Sequence, residues 1–146
     1  MDLAGRAMPY SVEAEQSVLG GILIDHNCIT AVSERIGEDD FYFEHNRAIY
    51  GVMLELFNTN RPIDLVTVSD ALKGQGRLDA VGGVAYLSSI ASAVPTTANI
   101  TQYADIVAQK ALLRRLIEAG TSIVNMGYEA TDDPETVLEK SEKLIF

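Results

Sequence analysis

One cysteine and two histidines, Cys28, His26 and His45, are the side chains in this sequence best suited to nucleophilic or metal chemistry. A cysteine nucleophile needs a basic neighbour that stabilises its thiolate, and His26 is the only imidazole near Cys28. A helical metal site needs ligands one turn apart, as in E-x-x-H or H-E-x-x-H, and neither spacing occurs. A single cysteine also cannot form an internal disulfide. We therefore predict no catalytic residue and no metal ligand, and interpret Cys28 as a small apolar filler.

The glycine cluster Gly74-Gln-Gly76-Arg77 is the sequence most similar to a phosphate-binding loop. Such a loop also requires a lysine followed by serine or threonine, and a strand before it. All of these are missing here, so we predict a turn between two helices. We predict that this chain binds no nucleotide cofactor.

The formal net charge of -10 argues against binding to a nucleic-acid backbone, which depends on clustered lysines and arginines. The one basic cluster is Lys110, Arg114 and Arg115, which we interpret as a solvated face or, alternatively, as a contact to an acidic partner. Several tyrosines could stack on bases, but without a basic groove they are better explained as core or protein-interface residues. They are Tyr42, Tyr50, Tyr86, Tyr103 and Tyr128.

The sequence has neither the apolar segment of a signal peptide nor a stretch long enough to span a membrane. We predict a cytoplasmic location and no membrane partner.

Two other function classes remain as alternatives: a free-standing helical regulator that binds nucleic acid, and a carboxylate–metal enzyme on a helical bundle. The first lacks a basic recognition helix, and the second lacks the ligand spacing.

Helical periodicity and the absence of a good pair of strands predict an all-α chain. We expect a flexible tail over residues 1–9 and a globular head of about five short helices over residues 10–95. Ser11 and Asp64 are predicted helix caps. The pair Gly20-Gly21 lies inside the first helix, where glycine is unfavourable, and therefore predicts close packing of another element.

Residues 96–146 are predicted to form a long helical hairpin that serves as a dimerisation element. Its first helix, from Asn99 to Gly127, would be roughly 40 Å long. Asp133 and Pro134 then predict the start of a shorter helix. The long helix carries more apolar residues than the following chain can cover, so it needs a partner. Small residues such as Ala119 and Gly120 would let another helix approach closely.

A set of short motifs follows in order along residues 10–146. They are Glu13-Ala-Glu-Gln-Ser-Val-Leu-Gly-Gly21, Asp40-Phe-Tyr42 with His45, Pro62-Ile-Asp64-Leu-Val-Thr67, Gly82-Gly83 with Tyr86-Leu87, Val94-Pro-Thr96 with Ala98-Asn99, and Tyr103-Ala104 with Leu113-Arg-Arg-Leu-Ile117. In this combination the chain resembles the amino-terminal domain of the bacterial replicative DNA helicases, the DnaB family.

The resemblance implies a non-catalytic collar domain within a hexameric helicase. Full-length members unwind DNA 5′ to 3′ with a carboxy-terminal RecA-like ATPase motor, to which ATP and magnesium would bind. The present chain would end before the linker to that motor. Hairpins of neighbouring subunits would pair into dimers, three dimers would form the hexamer collar, and the carboxy-terminal helical domain of primase would dock on it. This activity would place the protein in the nucleoid-associated replisome.

The same resemblance supplies candidate contact residues. For primase these are Glu13, Tyr86, Ile117 and Ile123. Packing within the hairpin or dimer is an equal alternative for Ile117 and Ile123, and core packing is an alternative for Tyr86. The candidates for the dimer interface are Tyr103, Val107, Leu113, Leu116, Val124, Val137, Leu138 and Ile145.

Overall fold

The structure is a computed structural model that describes residues 5–146, and within these residues every regular element is helical. The helices are α1 (Val12–Ile24), α2 (Cys28–Ser33), α3 (Glu44–Asn58), α4 (Leu65–Gly74), α5 (Gly83–Ala93), α6 (Ile100–Glu129) and α7 (Pro134–Ile145). A short 3₁₀ turn, Glu38–Asp40, precedes α3. The prediction of an all-α chain, with about five short helices before a long one and a shorter one, is confirmed.

Local capping signals determine where several helices begin. The Ser11 hydroxyl accepts a hydrogen bond from the Ala14 amide at 3.1 Å, and Asp64 accepts one from the Thr67 amide at 2.8 Å. Asp133 caps α7 in the same way, with Pro134 in the first helical position. Each cap satisfies an amide that has no partner inside its helix, which is why polar residues at these positions predicted the helix starts.

The core of the head is built by packing α1 against α5 and α3 against α4. The largest fully buried side chains there include Leu19, Ile49, Met53, Leu72 and Leu87. Tyr50 is buried among them, and its hydroxyl donates to the Ile36 carbonyl at 2.9 Å. Burial raises the pKa of Tyr50 above its ordinary value, so its hydroxyl stays a neutral hydrogen-bond donor.

The glycine pair in α1 is explained by direct contact with other parts of the head. A Cβ atom on Gly20 would lie 2.1 Å from the Ile90 carbonyl oxygen of α5, and one on Gly21 would lie 2.7 Å from Cδ1 of Ile100. The predicted close approach is therefore present, and its partners are the end of α5 and the start of α6.

By its internal contacts the chain divides into two compact units. One is Tyr10–Gln109, and the other combines Lys110–Phe146 with the described residues up to Pro9. The sequence placed the boundary at residue 95, whereas this division falls within α6. The reason is that Ile100, Ala104 and Val107 at the start of α6 belong to the core of the head.

The second unit consists of the later part of α6, a turn and α7. Ala130 in the turn adopts a left-handed backbone conformation with φ of 49°. Asp132 in the turn forms a salt bridge with Lys140 of α7.

In residues 5–9 the chain is not helical, and the Pro9 carbonyl accepts a hydrogen bond from Nη1 of Arg114 at 2.9 Å. Residues 1–4 of the predicted tail lie outside the described residues.

Candidate partner-binding surfaces

Glu15 of α1 is a buried carboxylate that holds the start of α3. Its side chain is 2% exposed and accepts hydrogen bonds from the Tyr42 amide at 2.9 Å, the Phe43 amide at 3.4 Å and Nδ2 of Asn46 at 3.0 Å. Phe43, the residue before α3, provides no side-chain cap of its own. Glu15 therefore acts as the cap of α3 from another helix, near the positive end of the helix dipole.

Tyr86 of α5 joins the same hydrogen-bond network. Its hydroxyl donates to Oδ1 of Asn46 at 2.7 Å and accepts from Nε2 of Gln16 at 3.4 Å. Burial raises the pKa of Tyr86, and its hydrogen bonds with Gln16 and Asn46 oppose that shift. The network thus joins α1, α3 and α5, and it orients the Tyr86 ring from its hydroxyl end.

Aromatic rings continue from Tyr86 toward the surface of the head. The His45 ring lies edge-on to Tyr86 at 5.1 Å and near Phe43 at 5.5 Å. Tyr42 packs edge-on to Phe43 at 5.1 Å, and the exposed Tyr10 stacks on Tyr42 at 4.6 Å. His45 is therefore a half-buried residue that packs against aromatic rings.

The second unit carries the main exposed apolar surface of α6 and α7. Leu113 is 46% exposed, Leu116 48% and Val124 40%. Leu138, Leu144 and Ile145 of α7 are also exposed. We call these six residues the open apolar face. Large apolar side chains with this much exposure are expected at sites that associate with another protein.

Two glycines within α6, Gly120 and Gly127, have no close neighbour among residues 5–146 that would require a glycine. A Cβ atom on either one would meet no atom within 4 Å. A glycine in the interior of a helix costs about 1 kcal/mol relative to alanine, so two such residues destabilise α6. Gly20 and Gly21 in α1 differ from them because each has a close neighbour in the head.

Cys28 and the possible metal ligands are the remaining residues whose side chains could take part in chemistry. Cys28 is half-buried, and burial raises the pKa of its thiol, which disfavours the thiolate. Among residues 5–146, no group of three or more histidine, cysteine or acidic side chains is placed to hold a metal ion. No helix in this part of the chain is long and apolar enough to cross a membrane.

The sequence matches the profile of the family described as "DnaB-like helicase N terminal domain" over residues 7–109. The chain belongs to this family. The replicative DNA helicase DnaC of Bacillus subtilis is 45% identical over 143 residues, which cover 98% of this chain and 32% of that relative. The chain thus spans about a third of the length of this curated relative.

Solved structures give the same fold. The crystal structure of the N-terminal domain of DnaB helicase from Mycobacterium tuberculosis superposes with a TM-score of 0.92 at 42% identity, covering 95% of this chain and 98% of that one. The N-terminal domain of DnaB helicase from Helicobacter pylori, which was determined together with its interactions with primase, superposes with a TM-score of 0.66 at 22% identity. It covers 80% of this chain and 90% of that one and shows the likeness of fold alone.

The DnaB-like fold places the candidate primase contacts in both units. Glu13 is exposed on α1, and Tyr86 is half-buried with its hydroxyl fully engaged. Ile117 and Ile123 are half-buried on α6. Ile117 borders an open cavity of about 400 Å³ that Met8, Glu118, Thr121 and Ser122 also line. Their roles in binding primase remain predictions.

The candidate dimer contacts differ in how accessible they are in the DnaB-like domain. Leu113, Leu116, Val124, Leu138 and Ile145 are exposed, whereas Val137 is half-buried. Tyr103 is partly buried against the head core, and Val107 is inside it. Periodicity placed Val107 on the apolar side of α6 but could not show that the head already covers it. In this conformation Val107 is a core residue.

Sequence reasoning also missed several residues. Leu112 and Leu144 are exposed in the second unit and were not among the predicted contacts, and Tyr128, which the sequence left as a core or interface residue, is exposed there as well. Their apolar character was the available signal. Glu15 and Asn46 had no comparable signal, because their hydrogen-bond partners lie on other elements, 27 to 40 residues away in sequence.

Proposed function

We propose that this chain is the non-catalytic collar domain of a hexameric replicative DNA helicase, in which it mediates pairing of subunits and docking of primase. The open apolar face is the observation that carries the proposal. The large apolar side chains of this face lie on α6 and α7 and are exposed within one short unit, where a second protein surface would bury them. Membership in the DnaB-like family supports the helicase assignment.

In this proposal the catalytic work belongs to a different part of the full-length protein. The chain spans about a third of the length of its curated relative, a replicative DNA helicase. ATP and magnesium would bind a RecA-like motor, and that motor would drive 5′ to 3′ unwinding. A domain with a net charge of -10 is poorly suited to hold the DNA backbone, so we assign it protein partners.

We further propose that primase docks on the collar through its carboxy-terminal helical domain. The support is the likeness of fold to the Helicobacter pylori domain, which has its own interactions with primase. Ile123 and Ile117 on α6, and Glu13 and Tyr86 on the head, are the proposed contacts. Tyr86 would contribute through its ring, because the hydroxyl is already bound to Asn46 and Gln16.

The double variant Leu113→Ser, Leu116→Ser should weaken self-association at least about tenfold, because burying even one leucine contributes about 1.5–3 kcal/mol. Sedimentation equilibrium over a concentration series measures this change. Val66→Ser is the matched control, since Val66 is 75% exposed on α4 and lies outside the open apolar face. The unsubstituted chain and the control should reach dimers or larger species together. A monomeric unsubstituted chain at the highest concentration would contradict the assembly role.

Titration of the chain with the helical domain of primase tests the docking role. We expect a complex with the unsubstituted chain and about tenfold weaker binding by Ile123→Ala, as for the loss of an apolar interface contact. Ile24→Ala is a suitable control because Ile24 is an exposed isoleucine on the head. Calorimetry measures both affinities, and circular dichroism shows whether each variant keeps its helices. If the unsubstituted chain binds no primase, this part of the proposal fails.

A further inference from the structure

Residues 5–9, which we call the strap, are a non-helical segment packed against α6. The Pro9 carbonyl accepts a hydrogen bond from Nη1 of Arg114 at 2.9 Å, across 105 residues of sequence. Met8 lines one cavity together with Ile117 and Thr121. The strap and this part of α6 belong to the same compact unit. The strap therefore covers part of one side of α6.

The covered side of α6 differs from its exposed leucines. Arg114, Ile117 and Thr121 follow one another at spacings of three and four residues, which places them on one side of the helix. Arg114 is 8% exposed, and the other two residues are half-buried. Leu113 and Leu116, by contrast, are 46% and 48% exposed. The strap thus lies over Ile117, a proposed primase contact, and leaves these leucines of the open apolar face uncovered.

The strap packs loosely on this side of α6. Met8 and Pro9 are half-buried, and residues 5–7 are exposed. A cavity of about 400 Å³ stays open beside Met8 and Ile117, so the two side chains do not fill the space between them. Well-packed protein interiors have few voids of this size, and a segment with few buried contacts opens locally at a low cost in free energy. We therefore expect the strap to leave α6 without unfolding the helix.

Release of the strap would uncover two groups of different chemistry. The Ile117 side chain offers an apolar contact, and the guanidinium group of Arg114 offers hydrogen bonds to a carboxylate. The two residues lie about 5–6 Å apart on neighbouring turns of the helix. Lys110 and Arg115 add positive charge close by in sequence. The uncovered side would fit a partner helix that presents an apolar residue next to an acidic one.

We propose that the strap is an autoinhibitory cover for the Ile117 side of α6, and that the helical domain of primase must displace it to bind there. The proposal deepens the docking role and rests on it. The apparent association constant for primase then equals the intrinsic constant multiplied by the fraction of chains in which the strap is released. Holding the strap on α6 lowers the affinity, and loosening it raises the affinity.

A reversible cross-link tests the effect of holding the strap. In a Cys28→Ser background, Met8→Cys and Ser122→Cys are joined by a bis-maleimide whose spacer contains a disulfide, because both positions line the cavity. Calorimetry should show at least about tenfold weaker binding of the primase domain by the closed chain, since the released fraction falls. Cutting the spacer with a reductant should restore the affinity. Each single-cysteine chain, treated with the same reagent, controls for the bulk of the linker.

Loosening the strap is the second test. Met8→Ser removes an apolar contact with α6 and should tighten primase binding about threefold. Ala7→Ser, at an exposed residue of the strap, is the matched control and should leave the affinity unchanged. A further readout needs no primase. In the Cys28→Ser background, Thr121→Cys should react with a small maleimide about threefold faster when combined with Met8→Ser than with Ala7→Ser.

The outcomes separate the strap from docking in general. Unchanged affinity of the closed chain, while the unsubstituted chain binds primase, would overturn the proposal and leave the docking role intact. Equal maleimide rates in the two strap variants would show that the strap does not cover α6 and would also overturn it. Absence of primase binding by every chain would overturn docking and autoinhibition together. Circular dichroism shows that each variant keeps its helices, and mass spectrometry shows that the linker closes within one chain.

Discussion

Replacing Gly20 with alanine should destabilise the head by about 3 kcal/mol, at the upper end of the cost of overpacking a core. The new Cβ would lie 2.1 Å from the Ile90 carbonyl oxygen and 2.8 Å from its carbon. These are backbone atoms, so no side-chain rotation can relieve the contact, and α1 and α5 must move apart. The gain of about 1 kcal/mol from replacing a mid-helix glycine is too small to compensate.

Gly74→Ala is the matched control for this prediction. Gly74 also lies in a helix of the head, but a Cβ there would meet no atom within 4 Å. The control should therefore keep or slightly raise stability, within about 1 kcal/mol. Urea unfolding followed by circular dichroism gives both free energies. Equal stability of Gly20→Ala and the unsubstituted chain would show that α1 and α5 do not pack as closely as the structure indicates.

Glu15→Gln should destabilise the head by about 3 kcal/mol, although the shape of the side chain hardly changes. The carboxylate accepts hydrogen bonds from the Tyr42 and Phe43 amides and from Asn46, so its oxygens meet only donors. The amide group of glutamine would direct a donor toward these donors and leave buried groups without partners. It would also remove the negative charge at the start of α3.

Glu13→Gln provides the comparison, because Glu13 lies on the same helix and is exposed. Its effect on the free energy of unfolding should be below about 0.5 kcal/mol, as for most surface substitutions. Hydrogen exchange of the Tyr42 and Phe43 amides gives a local readout, and both should exchange faster in Glu15→Gln alone. Unchanged protection of these two amides would show that Glu15 does not cap α3.

The network around Glu15 also bears on the docking proposal. Tyr86 is oriented by Asn46, and Asn46 is oriented by Glu15. A substitution at Tyr86 therefore changes the packing of three helices as well as any contact with a partner. The exposed Glu13 and the half-buried Ile123 are cleaner probes of the partner surface.

The helices themselves could largely be predicted from the sequence. Ser11, Asp64 and Asp133 cap their helices as their residue types predict. These features depend on hydrogen bonds and spacings within a few residues. Local sequence is therefore sufficient to specify them.

Contacts between distant elements could not be predicted in this way. The sequence indicated that Gly20 and Gly120 both permit a close approach. A Cβ atom on Gly20 would meet a carbonyl of α5, whereas one on Gly120 would meet no atom of residues 5–146 within 4 Å. Val107 and Leu113 follow the same apolar pattern on α6, but the first is in the core and the second is exposed. The helical periodicity of α6 shows which residues are apolar, but it does not show which surface, if any, covers each of them.

The sequence by itself therefore determined an all-α chain, its helix starts, the acidic charge that disfavours DNA as a direct ligand, and the family likeness. Only the tertiary structure decided which apolar residues the head uses for its own core, that Glu15 caps α3 from a distance, and that the part of α6 after Lys110 contributes exposed side chains to the open apolar face. The physical reason is the range of the interactions. Capping and periodicity act within one or two helical turns, whereas burial is decided by elements that meet only after the chain has folded.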